Sequence, residues 1–143
     1  MLKLVSLTLA MAGLLAAGEK EGRGCSVATL KGDYGFAVTG TRPSGPPPAP
    51  LEQMVGVVLR TFDGLGHLTG TENIHGSISG LVPDRQVTGT YSVNDDCSGT
   101  MNLTAPGIPP IEMRFVIVNK GKEIQAAVMS PATVMVTANG KKI

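Results

Sequence analysis

The sequence is poor in aromatic residues and in charge. It has no tryptophan, two tyrosines and three phenylalanines, and charged residues make up 16% of its 143 residues. Its formal net charge is +1, so no strong field attracts nucleic acid or an anionic membrane. Few aromatic side chains are present to stack on bases. The composition therefore argues against nucleic acid as a partner.

Long apolar runs are also scarce, and the clearest one is at the N-terminus. An uncharged stretch from Leu4 to Ala17 follows Lys3 and precedes the charged residues 19–21. As a helix this stretch reaches about 21 Å, short of the roughly 30 Å core of a bilayer. The order is that of a secretory signal peptide, with a transmembrane anchor as the alternative. We expect residues 1–17 to be a signal helix that is cleaved and residues 18–28 to be an N-terminal segment. The mature protein is then secreted or periplasmic, without stable membrane insertion.

Cysteine is limited to Cys25 and Cys97. In an oxidising compartment an even pair most simply forms one disulfide, which would stabilise the fold by about 4 kcal/mol across so long a loop. Two buried free thiols and a metal site are the alternatives, although neither cysteine has a CxxC or CxxH spacing.

Glycine and proline are abundant, at 19 and 10 residues. After the signal, apolar and polar residues alternate with period two between turn residues, and no sustained helical periodicity is present. The pattern predicts strands at about 29–39, 53–62, 67–76, 86–93, 97–104, 111–118, 122–129 and 133–139. A sheet that is polar on one face must bury the other. We therefore expect residues 29–143 to form an all-β domain, an eight-stranded antiparallel up-and-down barrel. A two-sheet β-sandwich is the alternative.

Hairpin registers can be chosen so that apolar and polar residues lie on opposite faces. The chosen pairs are Phe62–Leu68, Tyr91–Gly99, Ile117–Ile124 and Ala126–Val136. All five aromatic residues then face inward, and so do five glycines, which we expect to permit the bends of a closed barrel: Gly32, Gly56, Gly70, Gly89 and Gly99. Proline-rich loops are expected at 41–50 and 106–110, and a long connection at 77–85 is expected to cover one mouth.

Two charged residues, Arg60 and Glu72, fall on the inward face within reach of each other. Buried charges are costly unless paired and often mark ligand sites, although a structural ion pair or snorkelling side chains are the alternatives. If the barrel has a cavity, this pair would orient the polar end of a ligand. The apolar body of the ligand would contact four further side chains: Tyr34, Phe36, Met54 and Tyr91.

Other candidate residues have simpler interpretations. His67 and His75 fall on the outward face of the third strand, too far apart to share a metal. Residues 63–66 and 94–96 are expected to be turns, because they lack the further carboxylates of a calcium site. No catalytic motif is present, and no metal or cofactor is expected.

Several motifs resemble those of a group of small exported bacterial proteins. That group has a cysteine before a Gly-x-Tyr-Gly-Phe strand, here Cys25 and residues 32–36. It also has a Phe-Asp-Gly turn, here 62–64, and a Gly-Thr-Tyr-x-Val-x-x-Asp-Cys-x-Gly-Thr hairpin, here 89–100. The group has no assigned activity, so the resemblance implies a type of protein and no catalytic residues. By analogy of architecture it is similar to calycin-like and allene-oxide-cyclase-like barrels, which include carriers and cyclases.

The sequence thus favours an exported, non-enzymatic β-barrel that binds a small apolar ligand or a protein partner. A cyclase- or isomerase-like enzyme acting within the barrel cavity is one alternative. A structural envelope protein with a filled interior is another. The first two interpretations predict an interior cavity, and the third predicts none.

Overall fold

The computed structural model describes residues 24–143, so the expected signal helix at 1–17 lies outside the described residues. Eight antiparallel strands pair in chain order, and β8 pairs with β1 to close a barrel. The predicted all-β barrel is therefore confirmed, and the sandwich alternative is wrong. The strands are β1 Lys31–Pro43, β2 Leu51–Asp63, β3 His67–Gly76, β4 Gly80–Val93, β5 Ser98–Thr104, β6 Ile111–Val118, β7 Glu123–Ser130 and β8 Met135–Lys142. Short 3₁₀ turns lie at Val27–Thr29 and Asn119–Gly121.

Two of the predicted hairpin registers are confirmed and two are wrong by two residues. Phe62 pairs with Leu68 and Ile117 with Ile124, as predicted. In contrast, Tyr91 pairs with Met101 rather than Gly99, and Ala126 pairs with Ala138 rather than Val136. A shift of two leaves every side chain on its predicted face, because side chains alternate with period two.

The wrong registers arise because both turns are longer than predicted. In the β4–β5 turn, the Asn94 N–H donates to the Ser98 carbonyl at 2.8 Å, and Cys97 has a left-handed φ of 72°. In the β7–β8 turn, the Val134 N–H donates to the Pro131 carbonyl at 3.0 Å. The loops therefore occupy residues 94–97 and 131–134.

The long connection predicted at 77–85 is also wrong. The β3–β4 loop is limited to residues 77–79, and β4 begins at Gly80. A bulge in β4 at Pro83 and Asp84, opposite Asn73, interrupts the alternation, and Asp84 has a left-handed φ of 51°. This interruption concealed the strand in the sequence. Instead of covering a mouth, Ile78 and Leu81 are 59% and 75% exposed.

Side chains from all eight strands form the buried core inside the barrel. All five aromatic residues are buried there, as predicted. Inward glycines mostly make room for neighbours: a Cβ at Gly56 would lie 2.5 Å from Ile74 Cδ1, and one at Gly140 would lie 2.5 Å from Phe36 Cε1. Of the five glycines assigned to bends, Gly32 has a left-handed φ of 101°. At the other four, a Cβ would lie within 2.6 Å of a neighbouring atom, so glycine permits a close approach there.

The two ends of the barrel differ in composition. The first end, called here the proline end, consists of loops 44–50, 77–79, 105–110 and 131–134. The opposite end, called the charged end, consists of loops 64–66, 94–97 and 119–122 together with residues 24–30. Charged residues at or next to this second end are Lys31, Asp63, Asp95, Asp96, Lys120, Lys122, Glu123, Lys141 and Lys142.

The segment before β1 closes the charged end. Leu30 is fully buried there, and the predicted Cys25–Cys97 disulfide is confirmed, joining this segment to the β4–β5 turn. The Cys25 N–H also donates to the Asp95 carbonyl at 3.3 Å. Within residues 24–143, no helix is long and apolar enough to cross a bilayer.

Candidate functional site

Arg60 and Glu72 do lie inside the barrel, on the adjacent strands β2 and β3. They are 2% and 8% exposed, and Arg60 Nη2 is 3.6 Å from Glu72 Oε1. The two-residue alternation of each strand sets this orientation. The sequence therefore placed both charges correctly.

A third charged residue, Arg85, belongs to the same cluster and was missed by the sequence analysis. Its Nη2 and Nε donate to Glu72 Oε2 at 2.7 and 3.2 Å. Arg85 lies directly across from Glu72 in the β3–β4 pairing, but the predicted loop at 77–85 removed it from the strand. The single Glu72 carboxylate thus pairs with two guanidinium groups, and the three side chains together have one excess positive charge. Arg85 is partly exposed, so this charge is close to water.

Arg60 is surrounded mainly by soft apolar groups. Its guanidinium carbon lies 5.0 Å from the centre of the Phe36 ring, and Nη1 lies 3.3 Å from Met101 Sδ and 3.9 Å from Met113 Sδ. Burial lowers the pKa of Arg60, whereas the nearby Glu72 carboxylate raises it. Among the described residues, Arg60 Nε is the buried side-chain nitrogen that lacks an acceptor. Cation–π and thioether contacts partly replace the hydration that this group loses.

The hydroxyls of the two tyrosines predicted to contact a ligand bind backbone carbonyls at the charged end. The Tyr34 hydroxyl donates to the Gly121 carbonyl. The Tyr91 hydroxyl lies 3.0 and 2.9 Å from the carbonyls of Val27 and Leu30. Both rings pack edge-on against Phe62, with centroids 5.3 and 5.1 Å apart. Burial raises the pKa of both tyrosines, so their hydroxyls remain donors.

The six predicted ligand contacts are therefore spread along the barrel. Tyr34 pairs directly with Arg60, whose guanidinium contacts the Phe36 ring and Glu72, and Tyr91 lies towards the charged end. Met54 lies on the same face of β2 as Arg60 but six residues away, about 20 Å along the strand. It pairs with Gly76 near the proline end. All six side chains are buried, and four of them, Tyr34, Phe36, Arg60 and Glu72, lie next to one another. Their role as ligand contacts stays a prediction.

A second carboxylate, Glu52, fixes the β3–β4 turn and was also missed. Its oxygens accept hydrogen bonds from the N–H groups of Ile78 and Ser79 at 2.9 and 2.8 Å, from Ser79 Oγ at 2.7 Å and from Arg42 Nε at 3.0 Å. Burial raises the pKa of Glu52, but the bonds from Ser79, Ile78 and Arg42 outweigh this effect and lower it to about 2. The predicted second strand began at 53, one residue too late to include Glu52.

The two histidines lie on the outer surface and residues 63–66 form a turn, as the sequence predicted. His67 and His75 are exposed on the outside of β3. Asp63 Oδ1 accepts hydrogen bonds from the N–H groups of Leu65 and His67 at 2.7 and 3.0 Å. The bond from the His67 N–H, followed by that from Leu65, lowers the pKa of Asp63. These contacts stabilise a turn.

Two grooves lie on the outside of the barrel. The larger, about 600 Å³, crosses β5–β8 and has polar walls that include Arg114, Gln125 and Asn139. The smaller, about 420 Å³, crosses β2–β4 and is mostly apolar. It is lined by Val55, Val57, Asn73, His75, Leu81 and Pro83, with Gly56, Ile74 and Val82 in its floor.

Exposed apolar residues are also present at the proline end. The side chains of Leu51, Ile78, Met129 and Met135 are 59%, 59%, 51% and 70% exposed. Loops 44–50, 77–79, 105–110 and 131–134 contain no Asp, Glu, Lys or Arg. They contain eight of the ten prolines: Pro46, Pro47, Pro48, Pro50, Pro106, Pro109, Pro110 and Pro131. The loops of the proline end are therefore rigid, uncharged and partly apolar, and the Arg42–Glu52 ion pair lies beside them.

Comparison with family models, curated proteins and solved structures finds no match to this chain. The resemblance to small exported bacterial proteins therefore stays a prediction. The geometry of the barrel itself is the basis for a functional proposal.

Proposed function

We propose that the protein is an exported, non-enzymatic binding module that engages a protein partner through its proline end. The observation that carries this proposal is the concentration of prolines and the lack of charge in the four loops at that end. The cores of protein interfaces are likewise depleted of charged residues.

Rigidity makes these loops suited to binding. Proline fixes φ, so a proline-rich loop loses little conformational entropy when a partner orders it. Loop 44–50 is further held by its own bonds: the Ser44 N–H and Oγ donate to the Pro50 carbonyl at 2.9 and 2.8 Å, and the Ala49 N–H donates to the Pro46 carbonyl at 3.0 Å. Loop 77–79 is held by Glu52.

The occupied interior favours a protein partner over a small apolar ligand. Phe36 and Ile74 cover glycines on neighbouring strands, and the tyrosine hydroxyls are bound to backbone carbonyls. A small ligand that entered these parts of the interior would have to displace these contacts, whereas a protein partner at the proline end needs none of them to change. Export is supported by the disulfide, which persists in oxidising compartments, and by the signal-like N-terminus.

Site-specific photo-cross-linking in the source organism tests the proposal. A photoreactive phenylalanine analogue replaces Ile78 at the proline end or, as a matched control, Leu65 at the charged end. Both residues are apolar loop positions, and Leu65 is the more exposed at 79% against 59%. Exposure alone would therefore favour adducts from Leu65.

We expect Ile78 to give a discrete adduct with another protein, about ten-fold more abundant than any adduct from Leu65. Excess purified wild-type protein should abolish this adduct, because a specific interface of this kind is saturable. No adduct, or equal adducts from both positions, would contradict the proposal. A small molecule that co-purifies in native mass spectrometry would instead support ligand binding inside the barrel.

A further inference from the structure

Arg85 lies inside the barrel beside a part of the wall that is formed by a loop. It pairs with the inward residue Glu72 of β3. On its other side, β4 pairs with β5 only from Thr88 onward, opposite Thr104. Arg85 precedes that first pair, and β5 has already ended at this level and continues as loop 105–110. A partner that covers this loop of the proline end therefore lies beside Arg85.

Part of the Arg85 guanidinium is open to solvent. Nε and Nη2 donate to Glu72 Oε2, and no described residue accepts a hydrogen bond from Nη1. The Arg85 side chain is 13% exposed, against 3% for Arg60. Within residues 24–143, the buried side-chain nitrogen that lacks an acceptor is Arg60 Nε, so Arg85 Nη1 is within reach of water. A second carboxylate can therefore contact Arg85 without displacing Glu72.

The cluster of Arg60, Glu72 and Arg85 is one carboxylate short. Glu72 Oε1 is 3.6 Å from Arg60 Nη2, which is longer than an ordinary hydrogen bond. The other Arg60 nitrogens face thioether sulfur or lack an acceptor. An incompletely paired charge inside a protein is costly. A carboxylate bound to Arg85 would lower this cost, because it balances the charge and leaves Glu72 to Arg60.

We propose that Arg85 is a carboxylate-binding site and that it receives an acidic side chain of the protein partner. The identity of the partner rests on the proposed function, whereas the carboxylate site does not. A guanidinium binds a carboxylate through short, charge-assisted and often bidentate bonds. The four loops of the proline end contain no Asp or Glu that would compete for Arg85. Asp84 is its neighbour in sequence, but among the described residues Arg85 forms its ion pair with Glu72.

The excess positive charge selects the occupant of this end. A second copy that docked through its own proline end would bring the same excess charge, and the two clusters would repel each other. An acidic protein is attracted instead. Arg42 does not provide an equivalent site, because it forms a one-to-one pair with Glu52 at 3.0 Å. Charge complementarity at the proline end therefore comes from Arg85.

NMR titration of the mature protein with sodium acetate tests the carboxylate site without the partner. Acetamide is the uncharged probe of the same shape, and sodium chloride controls for ionic strength. We expect acetate to shift the Arg85 Nε–Hε signal, identified by its loss in Arg85→Gln, with a midpoint at or below about 100 mM. Acetamide and chloride should each give less than about a tenth of this shift. Arg114, whose side chain is 65% exposed, is the control for unspecific contacts.

Competition for the adduct formed at position 78 tests whether the partner supplies the carboxylate. Arg85→Gln should compete at least about ten-fold less well than wild type, because an interfacial charge pair is lost. Arg85→Lys retains the charge and should recover part of this loss. Arg114→Gln should compete as well as wild type. Arg85→Gln leaves Glu72 paired with Arg60, so circular dichroism should report a native fold.

The two measurements separate this inference from the proposed function. No saturable shift at Arg85, or equal shifts from acetate and either control probe, would overturn the site whether or not the adduct forms. An adduct for which Arg85→Gln competes as well as wild type would overturn the role of Arg85 in partner binding and leave the proposed function intact. A saturable acetate shift without any adduct at position 78 would contradict the proposed function and assign Arg85 to a free carboxylate instead.

Discussion

The charged end and the proline end are built differently, and the difference lies in how far apart in sequence the contacting residues are. The charged end is joined by contacts between residues far apart in sequence. Examples are the Cys25–Cys97 disulfide and the bonds from the hydroxyls of Tyr34 and Tyr91 to backbone carbonyls. The proline end is held more locally, by bonds within loop 44–50 and by Glu52 and the turn it clamps.

This contrast predicts at which end the loss of a contact destabilises the whole domain. Long-range contacts at the charged end close one mouth of the barrel, so their loss affects the whole domain. At the proline end, loops 44–50 and 131–134 have bonds within the loop, whereas loop 77–79 is held by Glu52 of β2. A surface whose shape is fixed locally can meet a partner without carrying the stability of the fold.

The largest expected effect is at the charged end. Replacing both Cys25 and Cys97 by alanine opens a crosslink between residues 72 positions apart. We expect the free energy of unfolding to fall by about 4 kcal/mol, because the unfolded chain regains the entropy of an open loop. Chemical denaturation measures this change.

Pro46→Ala at the proline end is the control for the disulfide variant, and it should change stability by less than about 1 kcal/mol. If the free energy of unfolding falls no more in the double cysteine variant than in Pro46→Ala, the charged end does not contribute more to stability than the proline end.

An intermediate, pH-dependent effect is expected for Glu52→Gln. The neutral amide cannot accept the charge-assisted bonds of the carboxylate, so we expect a loss of about 2 kcal/mol at pH 7. The pKa of Glu52 is lowered to about 2 in the folded protein. Its ionised form therefore stabilises the fold above the unfolded pKa of about 4.5, and this stabilisation is lost as pH falls from there towards 2.

Denaturation of wild type and Glu52→Gln between pH 2 and 7 measures the difference. The difference in free energy of unfolding between wild type and Glu52→Gln should be constant above about pH 5. It should become smaller as the pH decreases below that value. Glu112→Gln, on an exposed side chain next to Arg114, should differ from wild type by less than about 0.5 kcal/mol. If this difference instead became larger in acid, the ionised Glu52 carboxylate would not be the form that stabilises the turn.

The sequence predicted the faces of the strands better than their pairing. Tyr34, Phe115 and Arg60 were assigned to the interior correctly because the period of a strand is two. A register shift of two residues preserves that assignment, so alternation could not distinguish Gly99 from Met101 as the partner of Tyr91. Turn length decides the register, and the left-handed Cys97 has no clear signal in the sequence.

The charged clusters were harder to predict because they depend on strand ends and bulges. The β4 bulge at Pro83 and Asp84 interrupts the alternation, so Arg85 was assigned to a loop and its contact with Glu72 was missed. Glu52 lies one residue before the predicted start of its strand. The prolines were visible in the sequence, but their location at one end follows from up-and-down strand order.

The smallest effects on stability are expected for two lysine variants, which also test binding at the proline end most directly. Ile78→Lys and Leu65→Lys place the same charge on exposed loop residues at opposite ends, and each should alter the free energy of unfolding by less than about 0.5 kcal/mol. The decisive measurement is competition of each purified variant with the cross-linked adduct formed at position 78 of an otherwise wild-type chain. We expect Leu65→Lys to compete as well as wild type and Ile78→Lys to compete at least about ten-fold less well. Equal competition by both variants would contradict the claim that the proline end is the recognition surface.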